Sequence, residues 1–259
     1  MPPWMEKTGR IFFALGLLAL GIEHFVFQEF VVGRAPGWPP SIPGQHAWAY
    51  ASGAWFILVS IAIITGRKAR TSCVVSAALV FLWAFLRHIP LVANDSFLFG
   101  TWTAAGKALV FTGGALAVAG SFPKELSRNN ADHLRLNNER GFIITGRICL
   151  GIFLVIAGAQ HFLFVDFVAS LIPNWFPGAA VFWANFAGAT LIAGGVGLFI
   201  PATASWAAFL SGIMIFAWVW IVHLPRFGVS ISDKIALFEA LAFSGVAFVL
   251  VWLPKFKKA

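Results

Sequence analysis

Charge is scarce in this chain. Only 11% of its 259 residues are Asp, Glu, Lys or Arg, against roughly 25% in a soluble domain, and so little polar surface excludes a chain that lives in water. Cysteine is almost absent as well. Cys73 and Cys149 stand alone with no C-x-x-C, which excludes thiol–disulfide exchange and a zinc knot and leaves both as small packing residues. Neither H-x-x-x-H nor H-E-x-x-H occurs, and there is no Gly-rich phosphate loop, nucleophile elbow or Ser–His–Asp order. No spacing therefore singles out a metal, a nucleotide or an acyl-transfer reaction.

Hydrocarbon fills the chain instead. It is 59% hydrophobic with 28 Phe and 12 Trp, and its mean hydropathy is +0.84. A spanning helix needs about 20 apolar residues. Eight runs qualify, at roughly 11–31, 47–66, 72–92, 102–121, 146–168, 180–200, 204–224 and 234–253. The expected class is an all-α integral membrane protein with eight transmembrane helices.

The chain also repeats itself. Thr8-Gly9-Arg10-Ile11 recurs as Thr145-Gly146-Arg147-Ile148, and His24-Phe25 as His161-Phe162. Pro36-x-Trp38-x-Pro40 recurs as Pro173-x-Trp175-x-Pro177. Further on, Trp48 and Gly53 match Trp183 and Gly188, and Trp83, His88 and Pro90 match Trp218, His223 and Pro225. Finally Lys107 and Gly113 match Glu239 and Gly245. The spacing steps only between Pro40 and Trp48 and between Pro90 and Lys107, where loops are expected and insertions are tolerated. Residues 1–121 thus form one four-helix repeat, 122–141 a polar linker and 142–259 a second repeat. An even number of helices sends both copies across in the same sense. The expectation is two tandem four-helix bundles related by a parallel pseudo-twofold along the membrane normal.

Orientation follows from Lys and Arg. With the N-terminus in the cytoplasm, all of the 18 except Arg34, Arg87, Lys107, Arg226 and Lys234 fall on that side. Both termini are therefore expected to be cytoplasmic, in a multi-pass protein of the cell membrane (the bacterial inner membrane). The net charge of +8 calls for no nucleic-acid partner, since basic loops beside anionic membrane lipid account for it. Lys7 and Arg10 before an apolar run resemble a signal peptide. The mid-chain copy of that run cannot be cleaved off, so both are read as retained spans.

Counting helix rise at about 1.5 Å per residue places the ionisable side chains in one layer near the outer face. His24, His88, Lys107, Glu23 and Arg87 lie there from the first repeat, with His161, His223, Glu239, Gln160 and Arg226 from the second. Glu29 and Asp166 fall in the same layer. Ionisable groups in spans usually face the bundle interior and mark function. Lys107 against Glu239 is the sharpest contrast, opposite charges at matching positions. Either they pair across the pseudo-twofold, or each answers a partner in its own repeat: Glu23 with Lys107 and Arg87 in the first, His161 or Lys234 with Glu239 in the second. Histidines that merely tie the first helix of each repeat to the third explain the layer equally well. Three chemistries also suit it: quinone binding with proton transfer through His and a carboxylate, haem b ligation by paired histidines, and a His–carboxylate metal site. The outer segments Gly33–Gln45 and Ser170–Gly178, rich in Pro, Gly and Trp, suit interfacial anchors or lids over a site.

The residues of this layer carry a resemblance. Gly-Arg-Ile opening a helix, Ala-Gly-x-Gln160-His161-Phe162, Phe167-Val168-Ala169, Pro173-x-Trp175-x-Pro177-Gly178 and His223-Leu224-Pro225-Arg226, followed by a helix bearing Glu239, resemble the DoxX family of four-helix membrane proteins. The likeness covers 142–253. Residues 1–121 are a weaker copy, with Glu23 for Gln160, Lys107 for Glu239 and no arginine after Pro90. The resemblance implies a fused pair of units and redox work at the quinone pool, alone or with oxidoreductase partner subunits. On that reading His161 and His223 position the ring or shuttle protons and Glu239 accepts the proton. Arg226 holds an anionic substrate at the mouth, with His24, His88, Lys107, Glu23 and Gln160 as further substrate-binding residues. The rival classes are a binder or transporter of a small molecule or lipid, and a structural membrane subunit. Polar residues on one side only count against transport.

Overall fold

The structure, a computed structural model, describes residues 4–31, 38, 41–94, 99–122 and 132–251. Most of the expected linker, part of the first outer segment and the C-terminal basic residues lie outside the described residues. The described chain is helical with no strand. Eight of its helices are long and apolar enough to cross a membrane, as lipid demands of a backbone that must satisfy its own hydrogen bonds. We number them α1 (Trp4–Phe27), α2 (Gln45–Thr65), α3 (Ala69–Asn94), α4 (Phe99–Ser121), α5 (Asp132–Leu163), α6 (Ala180–Phe199), α7 (Ala204–Arg226) and α8 (Ile231–Val251). The protein is an all-α integral membrane protein.

Two helices start earlier than the apolar runs alone predict. α1 begins at Trp4 and α5 at Asp132, and the arginines these helices carry at the cytoplasmic end of the expected spans find partners inside the protein. The Arg10 guanidinium pairs with Glu6 and donates from Nε to Ser121 Oγ at 2.8 Å. Its counterpart Arg147 donates from Nε to the Leu198 carbonyl at 3.1 Å. Each cation thereby meets the carbonyl end of a neighbouring helix, where the helix dipole favours positive charge. Arg70 joins the same end, donating to Glu139 at 3.1 Å.

Across the bundle the repeats interlock. α1 runs along α8 and α5 along α4, and these two pairings are more extensive than any contact within a repeat. α1 with α2 and α5 with α6 come next, whereas α1 with α4 and α5 with α8 barely touch. Neighbours in sequence are neighbours in space, so the eight helices close a ring, and α4 and α8 also meet inside it. Their spans are 67% and 78% buried, while no other span exceeds 44%. Each pairing among these eight helices has its counterpart on exchanging the repeats, which is the pattern a pseudo-twofold gives.

Small residues set these crossings. A Cβ on Gly9 would stand 2.6 Å from the Gly245 carbonyl, and one on Gly146 2.8 Å from that of Gly113. These are matching crossings of α1 with α8 and of α5 with α4. Nearer the other end, a Cβ on Gly158 would stand 2.7 Å from the Gly188 carbonyl. That approach presses α5 onto α6 beside His161.

The third helix of each repeat carries a π turn at matching places, Ala84–His88 in α3 and Val219–His223 in α7. Pro90 and Pro225 follow closely and lack the N–H that a regular helix needs. The π turn takes up the break, and both histidines lie at its last residue. α1 ends where Gln28 takes a positive φ of 58°. α5 ends at Phe164, with φ −125° and ψ 43°, before a short helix Val165–Ser170. The run expected at 146–168 is thus two helices.

A cavity in the second repeat

A cavity of about 690 Å³ opens among α5, α6, α7 and α8. Its wall is aromatic and aliphatic, from Phe153, Phe167, Phe176, Trp183, Phe186, Leu191, Met214 and Trp218 among others. Polar groups reach it from four helices: Gln160 and His161 on α5, His223 and Arg226 on α7, Asp233 and Glu239 on α8, with Thr103 and Lys107 from α4 of the first repeat. Six of the nine residues singled out in the sequence, His161, His223, Glu239, Arg226, Lys107 and Gln160, therefore line one space.

Each of these groups has definite bonds. The Lys107 ammonium pairs with Glu239 Oε2, and both residues are buried, at 9% and 1% exposure. The second carboxylate oxygen, Glu239 Oε1, has no hydrogen-bond partner among the described residues. Thr103 Oγ1 donates to Gln160 Oε1 at 2.9 Å. His161 Nδ1 lies 2.7 Å from the Ala157 carbonyl, so this nitrogen carries the proton and Nε2 is an acceptor. The His161 ring stacks on Trp218 at 6.1 Å between centroids. Arg226 Nε donates to Asp233 Oδ1 at 2.9 Å, and Ser230 Oγ donates to Asp233 Oδ2 at 2.6 Å. The Asp233 amide donates back to Ser230 Oγ at 3.1 Å, so Arg226 is held by the box that caps α8. An arginine already answered by a carboxylate is a weaker anion trap than the sequence suggested.

His24, His88 and Glu23 do not line the cavity, and at the matching place in the first repeat aromatic rings pack together. Phe30 stacks on Trp83 at 4.6 Å and on Trp38 at 5.3 Å, and Trp38 lies 6.1 Å from Trp83. Their counterparts Phe167 and Trp175 are instead 50% and 64% exposed. Phe56, edge-on to the His24 ring at 5.6 Å, stands where the second repeat has Leu191. His24 Nδ1 donates to the Leu20 carbonyl at 2.7 Å, repeating the His161 bond, and its Nε2 accepts from the Val31 amide at 3.5 Å. His88 is 1% exposed, and its Nε2 has no partner among the described residues. Glu23 is 6% exposed and sits within electrostatic reach of Glu239 and Lys234.

Of the two pairings open to Lys107, the structure has the one across the pseudo-twofold. Arg87 lies over the Trp83 ring at 5.7 Å. Glu29 and Asp166 are exposed and outside the cavity lining. Among the described residues no three His, Cys, Asp or Glu side chains gather to hold a metal ion. Both cysteines are buried as free thiols. Sequence reasoning missed Thr103 and Asp233. The Ser230-x-x-Asp233 spacing was a readable helix-start signal, whereas a lone Thr103 in an apolar run gives none.

The family model described as "Domain of unknown function (DUF8561)" matches residues 150–227. Those residues run from α5 to the end of α7 and take in Gln160, His161, His223 and Arg226, but not Lys107 or Glu239. No curated protein and no solved structure matches the chain.

Proposed function

We propose that this chain is a DoxX-like membrane protein that binds a quinone-class ring in the second-repeat cavity, as a quinone-linked redox protein or the membrane subunit of one. The observation that carries the reading is the cavity itself. A ring-sized apolar space with an aromatic wall converges on a histidine acceptor and a carboxylate, the layout expected of ligand sites and of proton exchange with a redox-active ring. His161 and His223 orient the ring, and Glu239, with Lys107 holding its charge, receives the proton. Electrons pass to or from an oxidoreductase partner subunit. The distribution of Lys and Arg supports both termini being cytoplasmic, in a bacterial inner membrane, with the polar layer toward the outer face. Haem b is the lesser cofactor reading, since His161 and His223 share the cavity.

The test is to purify the protein in mild detergent, record its visible spectrum before and after dithionite, and identify extracted quinones by mass spectrometry. A stoichiometric quinone lost in His161→Ala or Glu239→Gln supports the reading. A Soret band that shifts on reduction and disappears in the histidine variants establishes haem b and displaces it. Neither chromophore nor quinone transfers the weight to a lipid or small-molecule binder, or to a structural subunit.

A further inference from the structure

Deep in the cavity, bonding capacity is unevenly spent. Two donors there are bonded to protein acceptors: Lys107 Nζ to Glu239 Oε2 and Thr103 Oγ1 to Gln160 Oε1. Two acceptors are not. Glu239 Oε1 is buried without a partner, and His161 presents Nε2 because Nδ1 is bound to the Ala157 carbonyl. A buried acceptor without a donor forfeits the hydrogen bond it had in water. A ligand bringing hydroxyl donors removes that cost, and one bringing carbonyl oxygens does not. The charges in the lining also pair off, Lys107 with Glu239 and Arg226 with Asp233, which favours a neutral ligand over an anion.

We infer that the cavity selects the reduced, hydroxyl-bearing form of its ring ligand over the oxidised, carbonyl-bearing form, with Glu239 Oε1 and His161 Nε2 as the two acceptors. The inference rests on the quinone-class reading above and names the form bound. The same logic explains why Lys107 belongs to the site although it comes from the first repeat. Its ammonium takes up Glu239 Oε2 and leaves Oε1 as the open acceptor.

Three probes of one shape separate the possibilities: a short-tailed benzoquinone, its hydroquinone, and the dimethyl ether of that hydroquinone. Their binding to the purified full chain is followed by tryptophan fluorescence under argon, with Trp183 and Trp218 in the wall as reporters. The expected result is that the hydroquinone binds about tenfold tighter than the quinone or the ether, a difference of about 1.4 kcal/mol. In His161→Ala the preference shrinks. In the neutralised pair Lys107→Met with Glu239→Gln, which leaves no buried charge unpaired and so guards against simple misfolding, the quinone gains on the hydroquinone. Quinone or ether binding as tight as hydroquinone overturns the inference while the ring site stands. No binding by any of the three probes overturns both.

Discussion

Lys107 and Glu239 occupy matching positions of the two repeats, and they bond to each other. Equivalent residues can touch only beside the symmetry axis, so this ion pair lies on the pseudo-twofold, between the two innermost helices. The duplication thus built its polar centre from one position used twice with opposite charge. Removing one partner leaves a buried charge alone, which costs about 3–5 kcal/mol. Lys107→Met and Glu239→Gln should each lower stability by that order in detergent unfolding. The exchange Lys107→Glu with Glu239→Lys should recover most of the loss, because the axis makes the two places nearly alike. A double variant no better than the singles would remove the axial pairing.

The two repeats differ chiefly in what fills the space beside the first histidine. Phe56 packs edge-on against His24, while Leu191 at the matching place lines an open cavity. Leu191→Phe should therefore fold with little change in stability, the first repeat being the precedent for that ring. It should lower ligand retention about tenfold or more, as measured by quinone recovered per mole of protein. The reverse change, Phe56→Leu at a 7% exposed site, should destabilise by about 1 kcal/mol through the void left behind.

The spans were legible because lipid imposes a composition that needs no tertiary information. The polar layer was legible because charge inside a span is rare enough to stand out. The order of packing was not. Nothing local in α1 says that it lies on α8 rather than α4, since Gly9 and Gly16 would serve either crossing. Nor could spacing reveal that Phe30, Trp38 and Trp83 stack on one another, since Phe167, Trp175 and Trp218 repeat those residue types beside an open cavity. The π turns were signalled by Pro90 and Pro225, yet a proline marks only a break and not the form the helix takes there. The start of α1 moved because Arg10 is bonded, which a hydropathy window reads as solvated charge.

Glycine at position 158 holds the histidine in place. Its missing Cβ lets the α6 backbone approach at Gly188, whose own Cβ would stand 2.8 Å from that of His161. Gly158→Ala should cost about 1–3 kcal/mol by overpacking and should lose ligand as His161 shifts. Gly228→Ala meets nothing within 4 Å and serves as the control, with stability and ligand both retained. Equal loss in the two variants would show that the crossing does not position the site.

Arg226 and Asp233 distinguish a ligand anchor from a helix cap. The guanidinium is 29% exposed and the carboxylate 15%, so their ion pair is worth about 0–1 kcal/mol. Asp233 has further work, because with Ser230 it closes the cap of α8, and losing a cap costs about 1 kcal/mol. Asp233→Ala should therefore destabilise more than Arg226→Gln, and binding of a neutral ring should fall only a few-fold in the arginine variant. If Arg226 instead held an anionic substrate, as the sequence suggested, Arg226→Gln would abolish binding and the wild-type affinity would fall steeply with added salt. Titrating one neutral and one anionic ring probe at low and high salt decides between them, and a salt-independent neutral preference is the expected outcome.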